Sequence, residues 1–142
     1  MPFSEINWLA VLVASLVSFV IGFLWFSPKT FFPVWWKAMG RRADESPEGG
    51  LPMGAVFGLT VVGILVQATV LALVIELVRM TGQEMGWWQG AAAGALMGVG
   101  FAAAASLSHH LFAGFSIRAW VLEVGQDIVC LAAMGVVIGA WA

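Results

Sequence analysis

Long apolar runs separated by short polar breaks dominate the chain, and they predict four membrane-spanning helices. The runs cover Ile6–Phe26, Met53–Leu77, Trp87–Leu107 and Ala119–Trp141. Each meets the roughly 20 residues that a helix needs to cross about 30 Å of hydrocarbon. Open strands leave backbone groups unpaired in lipid, so runs of this length predict helices. The expected fold class is all-α: a polytopic four-helix bundle forming a single membrane domain over residues 1–142. The connections are unequal. Residues 27–52 form the long one, a turn at Thr81-Gly82 the second, and Ser108–Arg118 the third.

Polar and special residues refine these boundaries. Asn7 stands where a side chain can cap the first helix, and Pro28 ends it. The first eight residues carry only Glu5 as a charged side chain, and no small-residue cleavage site follows the first run. The run is therefore expected to be a retained span rather than a signal peptide. In the long loop, Phe31, Phe32, Trp35 and Trp36 mix with Lys29 and Lys37, which predicts a short helix along the membrane surface. The next stretch, Arg41 to Gly50, reads as polar and flexible, with Pro52 opening the second span.

Composition agrees with the pattern. Charged residues make up 10% of the chain and mean hydropathy is +0.96, against about 25% charged in soluble domains. The lone Cys130 lies inside the last run and reads as a buried structural thiol. A net charge of -2 with no basic tract argues against nucleic acid as a partner. The first and third loops hold Lys29, Lys37, Arg41, Arg42 and Arg118, leaving Arg79 alone on the other side. By the positive-inside rule those loops face the cytoplasm and both termini lie outside, in a bacterial inner membrane. Trp8, Trp87, Trp88 and Trp141 then fall at one interface and Trp25 and Trp120 at the other, with Trp35 and Trp36 at headgroup depth.

Small residues mark where helices approach closely. Gly90, Gly94, Gly98, Ala102 and Ser106 recur every four residues in the third span, and His110 continues the series. Shorter stripes are Ala14/Ser18/Gly22, Gly54/Gly58 and Gly135/Gly139. Four helices leave little room to satisfy every stripe internally, so the expected partners are the lipid bilayer and a second copy of the chain or other membrane subunits. Packing within one bundle is the competing reading.

The polar inventory inside the runs is short. Glu123 and Asp127 lie one turn apart on the same face of the last span. An Asp at the bilayer centre costs roughly 2.5–3.5 kcal/mol, so the pair calls for a partner, water, a proton or a metal. Gln126 adds a polar neighbour and Gly125 thins the helix. His109 and His110 end the third span near the mouth of this site, and with Glu123 and Asp127 they suggest a proton relay. Their side chains point about 100° apart, so one of them at most would ligate a haem or pigment. Glu76 and Arg79 read as a snorkelling pair of little consequence, and Gln67 and Thr69 as hydrogen-bonding groups for a neighbouring helix.

No HExxH, CxxC, GxSxG or phosphate-binding glycine loop occurs. The chain is therefore expected not to be an enzyme, with no catalytic residue, metal or bound cofactor. Three functions remain: a membrane protein acting through assembly, a proton-linked transporter or channel, and a haem- or pigment-carrying subunit.

Several segments resemble a bacterial membrane family called domain of unknown function 1761. They are Ile6-Asn-Trp-Leu-Ala-Val-Leu-Val-Ala14, Gly22-Phe-Leu-Trp-Phe-Ser-Pro28, Trp36-Lys-Ala-Met-Gly40, Phe115-Ser-Ile-Arg-Ala-Trp120 and Met134-Gly-Val-Val-Ile-Gly-Ala-Trp141. The resemblance implies a membrane protein of this size with about four spans, and no activity. Phe26 stands where the family commonly has a tyrosine, and Gln126-Asp127 where a tyrosine-histidine pair would be expected.

Overall fold

A computed structural model describes residues 1–45 and 50–141. It is built of helices, in the order α1 (Trp8–Trp25), α2 (Phe32–Ala38), α3 (Met53–Arg79), α4 (Trp87–Met97), a π-helical turn (Gly98–Ala103), α5 (Ala104–Phe112) and α6 (Ile117–Ala140). The segments α4, π turn and α5 form one continuous rod, so four helices are long and apolar enough to cross a membrane. The polar stretch expected from Arg41 to Gly50 lies in part, over residues 46–49, outside the described residues.

Local chemistry sets the ends. Asn7 accepts a hydrogen bond from the Ala10 amide at 3.1 Å and caps α1. Ser116 does the same for α6 through the Ala119 amide. Gly82 and Gly114 take positive φ in the turns after α3 and α5, where a side chain would be strained. The third span runs to Phe112, five residues beyond the sequence expectation, because His109 and His110 continue the helix rather than ending it.

α6 is the central helix, packed most extensively on α4 and also on α1 and α3. The core draws Ile6, Val11 and Ala14 from the chain start and α1, Ala68, Leu71, Ala72 and Ile75 from the second half of α3, and Leu131, Met134 and Ile138 from the second half of α6. All three contributions lie at the end of the bundle that carries the chain termini. Lipid is as apolar as these side chains, so their contribution is packing rather than escape from water.

The glycine stripes of α4 and α6 face each other. A Cβ on Gly135 would overlap the Gly90 carbonyl, one on Gly94 the Leu131 carbonyl, and one on Gly139 the Gly86 carbonyl. Gly98 is looser, its Cβ meeting Ile128 Cα at 2.9 Å. The four-residue series then breaks. Past Gly98 the next buried position is Ala103, five residues on, while Ala102 and Ser106 are half-buried. The π turn, whose bonds run i to i+5, accommodates the extra residue. Gly90, Gly94, Gly98, Gly135 and Gly139 are thus occupied within the chain.

The other half of the bundle is open. From Leu51 to Gly63 every residue is exposed, and nothing lies within 4 Å of a Cβ on Gly54, Gly58 or Gly63. A groove of ≈ 290 Å³ separates α1 from α3 here, lined by Ser15, Phe19 and Ile64 among others, and Phe57 meets Phe19 across it at 6.5 Å.

Candidate functional site

Three elements meet around Glu123, two turns into α6. The short helix α2 lies against the start of α6, and Ser116 Oγ donates to the Ala38 carbonyl at 2.8 Å. Aromatic packing orders α2: Phe26 meets Trp35 edge-on at 5.3 Å and Phe32 stacks on Trp36 at 5.5 Å. So held, Trp35 turns its Nε1–H to Glu123 Oε1 at 2.8 Å. From α5, His110 Nδ1 lies 3.4 Å from Glu123 Oε2. Both carboxylate oxygens therefore have a partner, on two different elements.

His110 is the more enclosed member, its side chain 8% exposed against 33% for Glu123. Phe115 covers the ring at 5.1 Å. Its Nε2 is buried with no hydrogen-bond partner among the described residues. Nδ1 faces the carboxylate, while Nε2 faces neither a donor nor an acceptor among the described residues. Such a buried, unpaired polar atom costs about 1–3 kcal/mol. His109 is exposed, so the doublet divides into one buried and one outward ring.

A second polar group forms one face further round α6. Gln126 Nε2 donates to Cys130 Sγ at 3.3 Å, and Cys130 donates to the Ser18 carbonyl at 3.5 Å. Gln126 also seats against Gly22, where a Cβ would come within 2.9 Å of its amide nitrogen. Gly125 leaves room for Trp25, whose ring would lie 3.3 Å from a Cβ there and whose Nε1–H donates to the Leu122 carbonyl at 3.1 Å. Gln126 therefore serves the α1–α6 joint rather than the carboxylates.

Asp127 stands apart. It is half-buried and has no hydrogen-bond or ion-pair partner among the described residues. Seven residues separate it from Met134, two helical turns less about 20°, and Met134 is fully buried in the core. Asp127 thus lies on the core-facing stripe of α6, one turn before Leu131, at the edge of the buried core. Its stripe is opposite the exposed Val129 and Val136.

The structure brings His110 to Glu123 and adds Trp35, while Asp127 joins neither. Trp35 was missed in the sequence because a loop tryptophan reads as an interface anchor; its spacing from Glu123 carries no signal. Two other readings change. Thr69 bonds its own helix at the Leu65 carbonyl and Gln67 is exposed, so neither reaches a neighbouring helix. Arg79 pairs with Glu76 and also donates to the Met85 carbonyl at 2.9 Å and the Gly139 carbonyl at 3.0 Å. It ties the end of α3 to the end of α6, which is more than a snorkelling pair does. Ser106 accepts a hydrogen bond from Trp120 Nε1 at 3.1 Å, joining α5 to α6.

The family described as "Protein of unknown function (DUF1761)" matches residues 9–139. The chain belongs to this family. No curated protein and no solved structure matches it.

Proposed function

We propose that this family member works through assembly in the membrane, first of all as a homo-oligomer, and that a neighbouring copy covers the open half of α3. The observation that supports this is the bare first half of α3, and an unpartnered carboxylate on α6 is a second unmet need. Every residue from Leu51 to Gly63 is exposed, Phe57 meeting Phe19 of α1 at 6.5 Å, and Gly54, Gly58 and Gly63 are clear for close approach. On α6, Asp127 lies on the core-facing stripe, one turn before the buried Leu131, without a partner among the described residues. A helix against the bare stretch would gain close backbone contact and would shield a carboxylate costing roughly 2.5–3.5 kcal/mol in lipid. The glycines of α4 and α6 take no part, being occupied within the chain. In this reading the basic loops face the cytoplasm and both termini lie outside, in a bacterial inner membrane.

Cysteine cross-linking tests it in membranes. Gly58→Cys places a thiol where nothing lies within 4 Å, and Leu96→Cys places one on the exposed face of α4. Covalent dimers from Gly58→Cys and not from Leu96→Cys are expected, with a multiple of the 15.1 kDa chain mass in mild detergent. A monomer with equal cross-linking at both sites ends the proposal.

A second reading, proton-linked transport, draws on the 3.4 Å approach of His110 to Glu123 with Asp127 a turn deeper. It predicts that Asp127→Asn abolishes proton flux in vesicles at unchanged oligomeric mass. Loss of the oligomer instead would make Asp127 an interface residue. Ligation of a pigment by His110 has less support, because Nε2 is covered by protein atoms.

A further inference from the structure

Of the six cations, Arg41, Arg42 and Arg79 each pair with a carboxylate of their own segment. Lys37 and Arg118 pair with none among the described residues, and they line the same groove. The groove lies between α2 and the first turn of α6, is open on its outer side and has a volume of ≈ 840 Å³. Ala38 and Ser116 form its floor, closed by the bond between them. Pro33, Val34 and Ile117 give it an apolar wall, and all three are exposed. No acidic side chain lines it. Glu123, the nearest carboxylate in sequence, is turned away by Trp35 and His110.

Depth decides what such a groove would hold. The aromatic face of α2 and the N-terminal end of α6 place it where tryptophans gather, at headgroup level. A ligand there meets two positive side chains on one side and apolar surface on the other. We propose that this groove binds the headgroup of an anionic phospholipid, with Lys37 and Arg118 holding the phosphate and Pro33, Val34 and Ile117 receiving the glycerol and upper acyl chain. Basic pockets between membrane helices select anionic headgroups in this way, each cation contributing enough for about a fivefold change in affinity. The site does not depend on the oligomer. It also adds a role for α2: the helix that steadies Glu123 is itself steadied from outside by lipid.

The test uses the full chain in mild detergent, titrated with phosphatidylglycerol, phosphatidylcholine or inorganic phosphate, and read by native mass spectrometry and thermal unfolding. Phosphatidylglycerol is expected to be retained and to raise the unfolding temperature, and phosphatidylcholine to do neither. Lys37→Gln and Arg118→Gln should each weaken retention about fivefold and the double variant about 30-fold. Arg41→Gln, which removes a paired cation, should leave it unchanged. Helix content by circular dichroism checks folding, and the single variants carry the test if the double variant fails to fold. Equal retention by the variants, or equal loss in Arg41→Gln, overturns the site. Stabilisation by inorganic phosphate matching that by phosphatidylglycerol overturns the lipid assignment in favour of a free anion.

Discussion

Alanine at Gly135 should be the most damaging small substitution in the protein. Its Cβ would overlap the Gly90 carbonyl oxygen and lie 2.5 Å from that carbonyl carbon and 3.1 Å from the Ala91 nitrogen. All three are backbone atoms, so no side chain can swing aside, and α6 must back away from α4. Overpacking of this kind costs about 1–3 kcal/mol and occasionally more. Replacing a helical glycine by alanine returns up to about 1 kcal/mol, so with backbone-on-backbone overlap at the upper end of the range the net loss is about 2–3 kcal/mol. Gly98→Ala should cost less, since its worst contact, 2.9 Å to Ile128 Cα, needs a shift of about half an ångström. Gly58→Ala meets nothing within 4 Å and should be neutral or stabilising by up to about 1 kcal/mol. The three variants, unfolded in mixed micelles and followed by circular dichroism, should rank in that order. If Gly135→Ala is as stable as Gly58→Ala, the close approach of α4 and α6 is not a feature of the folded chain. If it keeps its stability but loses oligomeric mass, the glycines act between copies and the proposed interface on α3 is wrong.

Glu123→Ala should free α2 by removing the acceptor for Trp35, seen as faster hydrogen exchange over residues 32–38; Glu123→Gln, which keeps an oxygen for that bond, should protect the segment better. His110→Phe removes the unpaired Nε2 and should change stability by under about 1 kcal/mol, because the relief offsets the lost contact with Glu123; a loss above about 2 kcal/mol would mean that Nε2 has a partner. Cys130 is buried, so a maleimide should label it only after denaturation. At the surface, the Arg42 guanidinium beside Asp44 holds that carboxyl below its usual range. Its contribution is present above the ordinary carboxyl pKa and lost as pH falls through the lowered one. The pair is fully exposed, so Asp44→Asn should leave thermal stability unchanged across that window.

The amino-acid sequence by itself determined the fold class, because the length and apolarity of four runs leave lipid-spanning helices as the only economical solution and Asn7, Pro28 and Pro52 mark their limits. It also marked Glu123 and Asp127, since a carboxylate within an apolar run is conspicuous whatever surrounds it. What pairs with what was decided only in three dimensions. Spacing put Gly90, Gly94, Gly98, Ala102 and Ser106 on one stripe, yet a π turn breaks it after Gly98, because holding α4 against α6 takes a backbone adjustment that no residue type announces. Partners far apart in the chain, Trp35 with Glu123 or Arg79 with Gly139, depend on where helices cross. The two carboxylates look equivalent in the sequence; the crossing of α2 and α5 over the start of α6 separates them, giving Glu123 the partners Trp35 and His110 and leaving Asp127, a turn deeper, with no partner among the described residues.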